Sequence, residues 1–187
     1  LACNPYPDDD DYLRVLDRES QAMIRRLRGH ASLVFWCGGN ELFNSWSGMT
    51  DQALPLRLLN KNCFELDRAR PYLPTSPVMG MAHGGYFFYD VDNGEEGWEQ
   101  FQRSSFTAYT EFGCPGPSPI EVLQTFIPAE QLFPPRPGTS WESHHAFGVW
   151  MENSWLCLDV IEKYFGVSES LEQLVARGEL LQCEGYK

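Results

Sequence analysis

Ser32-Leu33-Val34-Phe35-Trp36-Cys37-Gly38-Gly39-Asn40-Glu41 is the stretch on which the fold turns. After Ser32 the residues are apolar without alternation, and two glycines end the run. A strand that shows no polar face is the pattern of a buried, parallel sheet. Upstream, Asp8 to Asp11 open a helix in which Leu13, Leu16, Met23 and Leu27 recur at roughly helical spacing. Arg25, Arg26 and Arg28 load its far end, and Gly29 stops it. Acid first and base last complement the helix dipole. Downstream, a helix is predicted over Pro55 to Asp67, with Leu59, Cys63 and Leu66 on one side and Arg70-Pro71 as its break.

Further along, Tyr72 to Thr75 and Val78 to Ala82 are strand candidates, and Glu95 to Arg103 has a helical pattern. Ser105 to Thr110, rich in Thr and aromatics, is a fourth strand candidate, closed by Phe112-Gly113 and a Pro/Gly-rich loop. A short helix is expected from Pro119 to Phe126, then a proline loop from Pro128 to Pro137. Two terminal helices, Trp155 to Phe165 and Glu169 to Cys183, are split by Gly166 and capped by Ser168 or Ser170. Helix alternating with buried-type strand argues for an α/β fold with a parallel sheet. A complete eight-fold barrel needs about 250 residues, so 187 residues suit an open sheet or part of a barrel.

Composition bounds the function. The chain is 43% apolar and 21% charged, as globular chains are. Its formal charge of -12 removes the broad basic footprint that nucleic acid requires and disfavours an anionic membrane surface. No run of roughly 18 apolar residues offers a bilayer span. The beginning, Leu1-Ala2-Cys3-Asn4, has neither the basic nor the apolar region of a signal peptide and reads as an interior cut from a longer protein. The compartment stays open. Cys3, Cys37, Cys63, Cys114, Cys157 and Cys183 are scattered without a Cys-x-x-Cys pair, which argues against a zinc ribbon; buried reduced thiols are the favoured reading over a disulfide framework.

Chemistry in α/β folds sits at the C-terminal ends of parallel strands. Two such ends carry a carboxylate beside glycine: Glu41 after Gly38-Gly39-Asn40, and Glu111 before Phe112-Gly113. Glycine there suits a tight turn and close ligand approach. Each Glu alone is an ordinary solvated residue or helix start. Two facing one cleft, with pKa values pushed apart, are the minimum machinery for cleaving a glycosidic bond. Aromatics outside the apolar runs, among them Trp46, Tyr86, Phe87, Phe88, Tyr89, Trp98 and Trp141, suit the C–H faces of sugars, and core packing accounts for many of them. His83 precedes Gly84-Gly85 and suits a bond to a sugar hydroxyl or a carboxylate as well as a structural role. His144-His145, with Glu142 nearby, is a weak metal pattern, and no metal or organic cofactor is expected. P-loop, GxGxxG and GxSxG motifs are absent.

The segment from Arg25 to Glu41 resembles the fourth-strand region of glycoside hydrolase family 2, nearest its β-mannosidase-like branch, which includes exo-glucosaminidase and endo-β-mannosidase types. The resemblance implies that Glu41 is the acid/base and that Asn40 binds the sugar 2-hydroxyl. Phe106-Thr107-Ala108-Tyr109-Thr110-Glu111-Phe112-Gly113 is similar to the seventh-strand motif, which implies that Glu111 is the nucleophile. Arg70 to Pro77 resembles the fifth strand. Ala82-His83 through Tyr89-Asp90 resembles the sixth, where the family carries a His and aromatics near the sugar, which places His83, Tyr86 and Tyr89 in the substrate site. Trp46 stands where the family has an aromatic wall. Leu1 to Pro7 resembles the end of strand three, and Leu174 to Lys187 the helix before strand eight.

The fold so implied is α/β: a partial (β/α)8 TIM barrel, approximately strands 4 to 7, with residues 1–187 forming one fragment of a catalytic barrel domain. The implied function is a retaining β-glycosidase acting on a terminal β-linked sugar, such as a β-mannoside, β-galactoside or β-glucosaminide. The implied partners are the glycoside or oligosaccharide substrate and the parent's remaining barrel strands and β-sandwich domains. Two departures from the family bear on sugar specificity: Cys114-Pro115-Gly116-Pro117-Ser118 follows the nucleophile motif where a Gln and Ser are usual, and Gly39 replaces a frequent Asn. The rival reading is a catalytically incomplete fragment that binds glycans or serves only structure. Open sheet edges at the missing strands predict self-association.

Overall fold

The apolar run becomes a strand only at its end, β1 (Trp36–Cys37). The computed structural model describes residues 3–144, 146–147 and 155–187, so Leu1, Ala2 and His145 lie outside the described residues. The run is not buried on both faces: Trp36 is buried, but Val34 is 70% exposed and Cys37 is exposed. The chain divides into two compact units. The first runs to His83 and adds Phe106–Thr110; the second comprises Gly84–Ser105 and Glu111–Lys187.

In the first unit, α1 (Asp10–Leu27) starts where the Asp9 carboxylate accepts from the N–H groups of Asp11 and Tyr12, meeting donors the helix cannot use. It packs on α2 (Leu54–Leu66). Between them the wholly buried Asn62 donates to Asp17 Oδ1 and Ser20 Oγ, each at 2.9 Å. After α2 the chain returns as β2 (Tyr72–Leu73), parallel to β1 with Trp36 opposite Tyr72. This β–α–β unit is the parallel arrangement the sequence predicts. The ladder resumes as a parallel bridge between Asn40 and Ser76. It stays fragmentary because Pro74 and Pro77 have no N–H to donate. Ile24, Trp36 and Cys63 form one core beneath Leu33, Leu66 and Tyr72, and the Trp36 indole N–H is satisfied by Asp67 at 2.9 Å. Leu42, Met49 and Leu56 form a second core beneath Tyr6.

Gly38 and Gly39 serve this packing and not a turn. A side chain on Gly38 would strike Tyr72 and the Pro74 carbonyl; one on Gly39 would strike Tyr6 and Leu42. β3 (Ala82–His83) begins at the last residue of the predicted Val78–Ala82 strand.

In the second unit, β4 (Tyr89–Asp90) and β5 (Glu95–Glu96) pair antiparallel as a hairpin. The helix predicted from Glu95 therefore starts two residues later, as α3 (Gly97–Arg103), where the Glu99 carboxylate takes the Glu96 N–H at 3.1 Å. The strand predicted over Ser105–Thr110 is displaced to β6 (Tyr109–Glu111), whose Tyr109 and Thr110 belong to the first unit, where β6 pairs with β3. Then come α4 (Ile120–Leu123), α5 (Ser140–Ser143), α6 (Leu158–Phe165) and α7 (Leu171–Gly185). Ser170, not Ser168, caps α7. α6 and α7 bury Val160, Ile161, Leu171, Leu174, Val175 and Leu181 with Trp141 in the largest core. All six cysteines are free thiols, but only Cys63, Cys114 and Cys157 are buried as expected; Cys3 is half-buried, and Cys37 and Cys183 are exposed. Among the described residues no helix is long and apolar enough to cross a membrane.

Candidate active site

Just past β1, Glu41 adopts φ +48°, a left-handed conformation that costs a non-glycine residue about 1–2 kcal/mol. The surrounding backbone holds it there. Its N–H donates to the Ser76 carbonyl at 2.7 Å, and the Asn44 side-chain amide donates to the Glu41 backbone carbonyl. The twist presents a carboxylate that is 29% exposed. Oε1 lies 2.8 Å from Nδ1 of His83, the last residue of β3, and Oε2 accepts from the Cys3 thiol at 3.2 Å. The His83 and Cys3 hydrogen bonds hold the Glu41 carboxyl below its ordinary range, against the opposing effect of burial. Asn40 is tied to the same corner, its amide 3.6 Å from Cys3 Sγ.

His83 has a second partner. Its Nε2 lies 2.9 Å from Ser76 Oγ, which also bonds the Thr110 hydroxyl. Four side chains from separate segments thus form one chain: Thr110, Ser76, His83, Glu41. Beside it the wholly buried Thr75 accepts the Leu42 N–H at 2.9 Å and donates to the Gly39 carbonyl at 3.2 Å. That pair of bonds ties the segment before Pro77 to the turn that carries Glu41.

In the second unit, Glu111 ends β6. The Tyr86 hydroxyl donates to its Oε1 at 2.7 Å, while the backbone of Gly84 donates to the Glu111 carbonyl at 3.2 Å. Gly84 and Gly85 have φ of +123° and +72°, values that suit glycine, so the chain turns straight from His83 into the segment bearing Tyr86. A Cβ on Gly85 would also strike the Phe101 ring.

The structure therefore joins Glu41, Asn40 and His83 in one group and Glu111 and Tyr86 in another. Trp46 lies in the loop after Glu41 with its side chain open to solvent, 66% exposed. Tyr89 packs elsewhere: its ring meets Tyr164 edge-on at 6.2 Å and carries the Lys163 ammonium 4.1 Å above it. Of the weak metal pattern, the Glu142 carboxylate accepts the Gly138 N–H at 2.6 Å and the His144 ring lies 4.4 Å from Phe126. Glu41 and His83 each carry a ligand-type atom, and those atoms are joined to one another by a hydrogen bond.

No protein-family model matches the chain. Individual proteins do. β-Mannosidase B of Thermothelomyces thermophilus is 26% identical over 98% of this chain, and the β-mannosidases of Bos taurus and Capra hircus are each 25% identical over 93% of it. The chain is a relative of the β-mannosidases. It spans only about a quarter of their length, 25% of the fungal protein and 22% of the two mammalian ones.

For a β-mannosidase relative, three residues at the Glu41 corner go beyond the sequence reading: Cys3, Ser76 and Thr110. The run Pro74-Thr75-Ser76-Pro77, two hydroxyls between prolines at a strand end, was the available signal for Ser76. Cys3 had none, because a scattered thiol far from Glu41 in the chain looks like any other.

Proposed function

We propose that this chain is the central part of a catalytic (β/α)8 barrel, roughly strands four to seven with their helices. The parent is a retaining β-glycosidase of the family 2 type, acting on a terminal β-linked sugar, with a β-mannoside the first choice. The observation that carries the reading is the similarity to β-mannosidases along 93–98% of the chain. The parallel β1–α2–β2 unit agrees with a barrel segment.

In this mechanism Glu41 gives its proton to the glycosidic oxygen as the bond to the aglycone breaks. Glu111 attacks the anomeric carbon and forms a glycosyl-enzyme. Glu41, now ionised, takes a proton from water, which attacks the same carbon and releases Glu111. Two inversions give net retention. Tyr86 holds Oε1 of Glu111 and so fixes the orientation of the nucleophile. His83 and Cys3 favour the ionised Glu41 that the second step needs. For the first step the carboxyl must hold a proton, and a sugar that strips water from this part-exposed group supplies the opposing push.

The test is a panel of chromogenic β-mannosides, β-galactosides and β-glucosaminides offered to the natural polypeptide that carries these 187 residues, and to its Glu111→Gln variant. Release by the first and a loss of several orders of magnitude in the second is the expected result. Undiminished release by Glu111→Gln would overturn the assignment. The open Trp46 ring, 66% exposed, favours a second reading, glycan binding without cleavage. Binding of the same glycosides with no product from the unaltered polypeptide would select it.

A further inference from the structure

Trp98 is one of the aromatics outside the apolar runs, and the reaction above gives it no part. It lies in the first turn of α3, is 52% exposed, and has no ring or cation contact among the described residues. A hydrogen bond nevertheless holds its edge. The indole N–H donates to Glu96 Oε2, and the Tyr164 hydroxyl donates to Oε1 of the same carboxylate, at 2.7 Å in the second case. Tyr164 is itself braced, its ring meeting Phe88 edge-on at 5.3 Å and Tyr89 at 6.2 Å. One carboxylate thus fixes two rings from separate helices, α3 and α6. The bonds from Trp98 and Tyr164 hold the Glu96 carboxyl below its ordinary range, so the group is ionised and only accepts.

A carboxylate has about four acceptor positions, and these two bonds leave the others for a ligand. An open ring face beside spare acceptors suits a molecule with apolar C–H faces and hydroxyl donors. Charge decides against the alternatives. Rings around a carboxylate also suit a cation. Here Lys163 supplies one, its ammonium 4.1 Å from the centre of the Tyr89 ring and 5.8 Å from that of Tyr164. An anion would meet Asp90, Asp92, Glu95, Glu96 and Glu99, which crowd the β4–β5 hairpin and the first turn of α3. A neutral sugar meets neither obstacle.

We infer that Trp98, framed by Glu96 and Tyr164, is a glycan contact: its open face takes the C–H face of one neutral pyranose of a longer chain, and Glu96 accepts from the hydroxyls of that sugar. The contact binds and breaks no bond, so it goes beyond the glycosidase reading and does not depend on it.

The test uses the natural polypeptide as Glu111→Gln, so that no glycan is consumed, labelled with 5-fluorotryptophan and with the 19F line of Trp98 assigned by Trp98→Phe. The β-1,4-linked hexaoses of mannose, glucose and N-acetylglucosamine are added in turn, with tetramethylammonium as the cation probe. At least one hexaose is expected to move the Trp98 line, and tetramethylammonium is not. No movement with any hexaose, or movement with tetramethylammonium alone, overturns the inference. Calorimetry with the hexaose that moves the line should show binding about tenfold weaker in Trp98→Ala at an unchanged melting temperature. Trp98→Phe, which keeps a flat face, should lose less. Binding undiminished in Trp98→Ala sinks the inference. Phenyl β-D-mannoside, a single sugar, separates contact from fold: with Glu111 restored, Trp98→Ala should cleave it as the unaltered protein does, and a loss equal to that in hexaose binding would reduce Trp98 to a structural role. If the unaltered polypeptide cleaves no glycoside while a hexaose moves the Trp98 line, the glycan contact stands and the glycosidase reading fails.

Discussion

Thr75 shows how a single hydroxyl shapes the candidate site. It is wholly buried and bonds to two backbone groups of the turn that carries Glu41. Thr75→Val keeps the shape but leaves the Leu42 N–H and the Gly39 carbonyl without this partner. A destabilisation of about 1–3 kcal/mol is expected, read as a lower urea midpoint at unchanged slope. Glu41 makes a pH-dependent prediction. Its carboxyl is held below the ordinary range chiefly by the hydrogen bonds from His83 and Cys3. A carboxyl depressed in the folded state contributes stability above its unfolded pKa and loses it as pH falls through the folded value. Glu41→Gln never has that contribution. Its deficit against the unaltered protein should be full above about pH 5 and shrink below about pH 4. A deficit constant from pH 3 to 7 in urea unfolding would show that the hydrogen bonds do not favour the charge.

Helices and strands differ here in how far local sequence governs them. α1 and α2 lie within two residues of their predicted bounds because caps, charges and a proline at the first turn are local signals. Among the described residues every strand is two or three residues long, and none keeps its predicted length. Prolines and glycines interrupt the ladders, and partners distant in sequence decide which residues pair. The β4–β5 hairpin lay hidden for the same reason: Glu95 and Glu96 favour helix locally but pair with Asp90 and Tyr89. α7 gives the test at this scale. Gly178 faces Pro117 and Ile161 so closely that an added Cβ would overlap the proline ring. Gly178→Ala gains up to about 1 kcal/mol in helix propensity. The overlap costs about 1–3 kcal/mol, because a ring fixed to its backbone yields little. The net prediction is a lower melting temperature. A rise would show that the loop around Pro117 gives way.

At the scale of the whole chain, every sheet has two strands, so each strand has one ladder partner among the described residues. Unpaired strand edges invite pairing with a second copy. The 187-residue chain produced alone is expected to self-associate, and light scattering that finds only monomer at high concentration would contradict this. The charge of -12 sets a second expectation, no retention on heparin at physiological salt. Both expectations concern the isolated chain, which spans a quarter of the mannosidases it is related to.

From sequence alone came α1, α2 and α7, the parallel pairing around α2, and Glu41 and Glu111 as candidate carboxylates. These rest on periodicity, caps, composition and short motifs, all carried by neighbouring residues. Only the tertiary structure decided what surrounds those carboxylates. Cys3, Ser76, His83 and Thr110 are scattered along the chain from residue 3 to 110, yet bonds of 2.8 to 3.2 Å link Cys3, His83 and Ser76 to the Glu41 corner, with Thr110 bonded behind Ser76. Hydrogen bonds act over one atomic diameter, and no pattern along the chain records which hydroxyl will come to lie behind which ring. The same is true of Gly38 and Gly39, which read as a turn in the sequence and in the fold make room for Tyr72 and Tyr6.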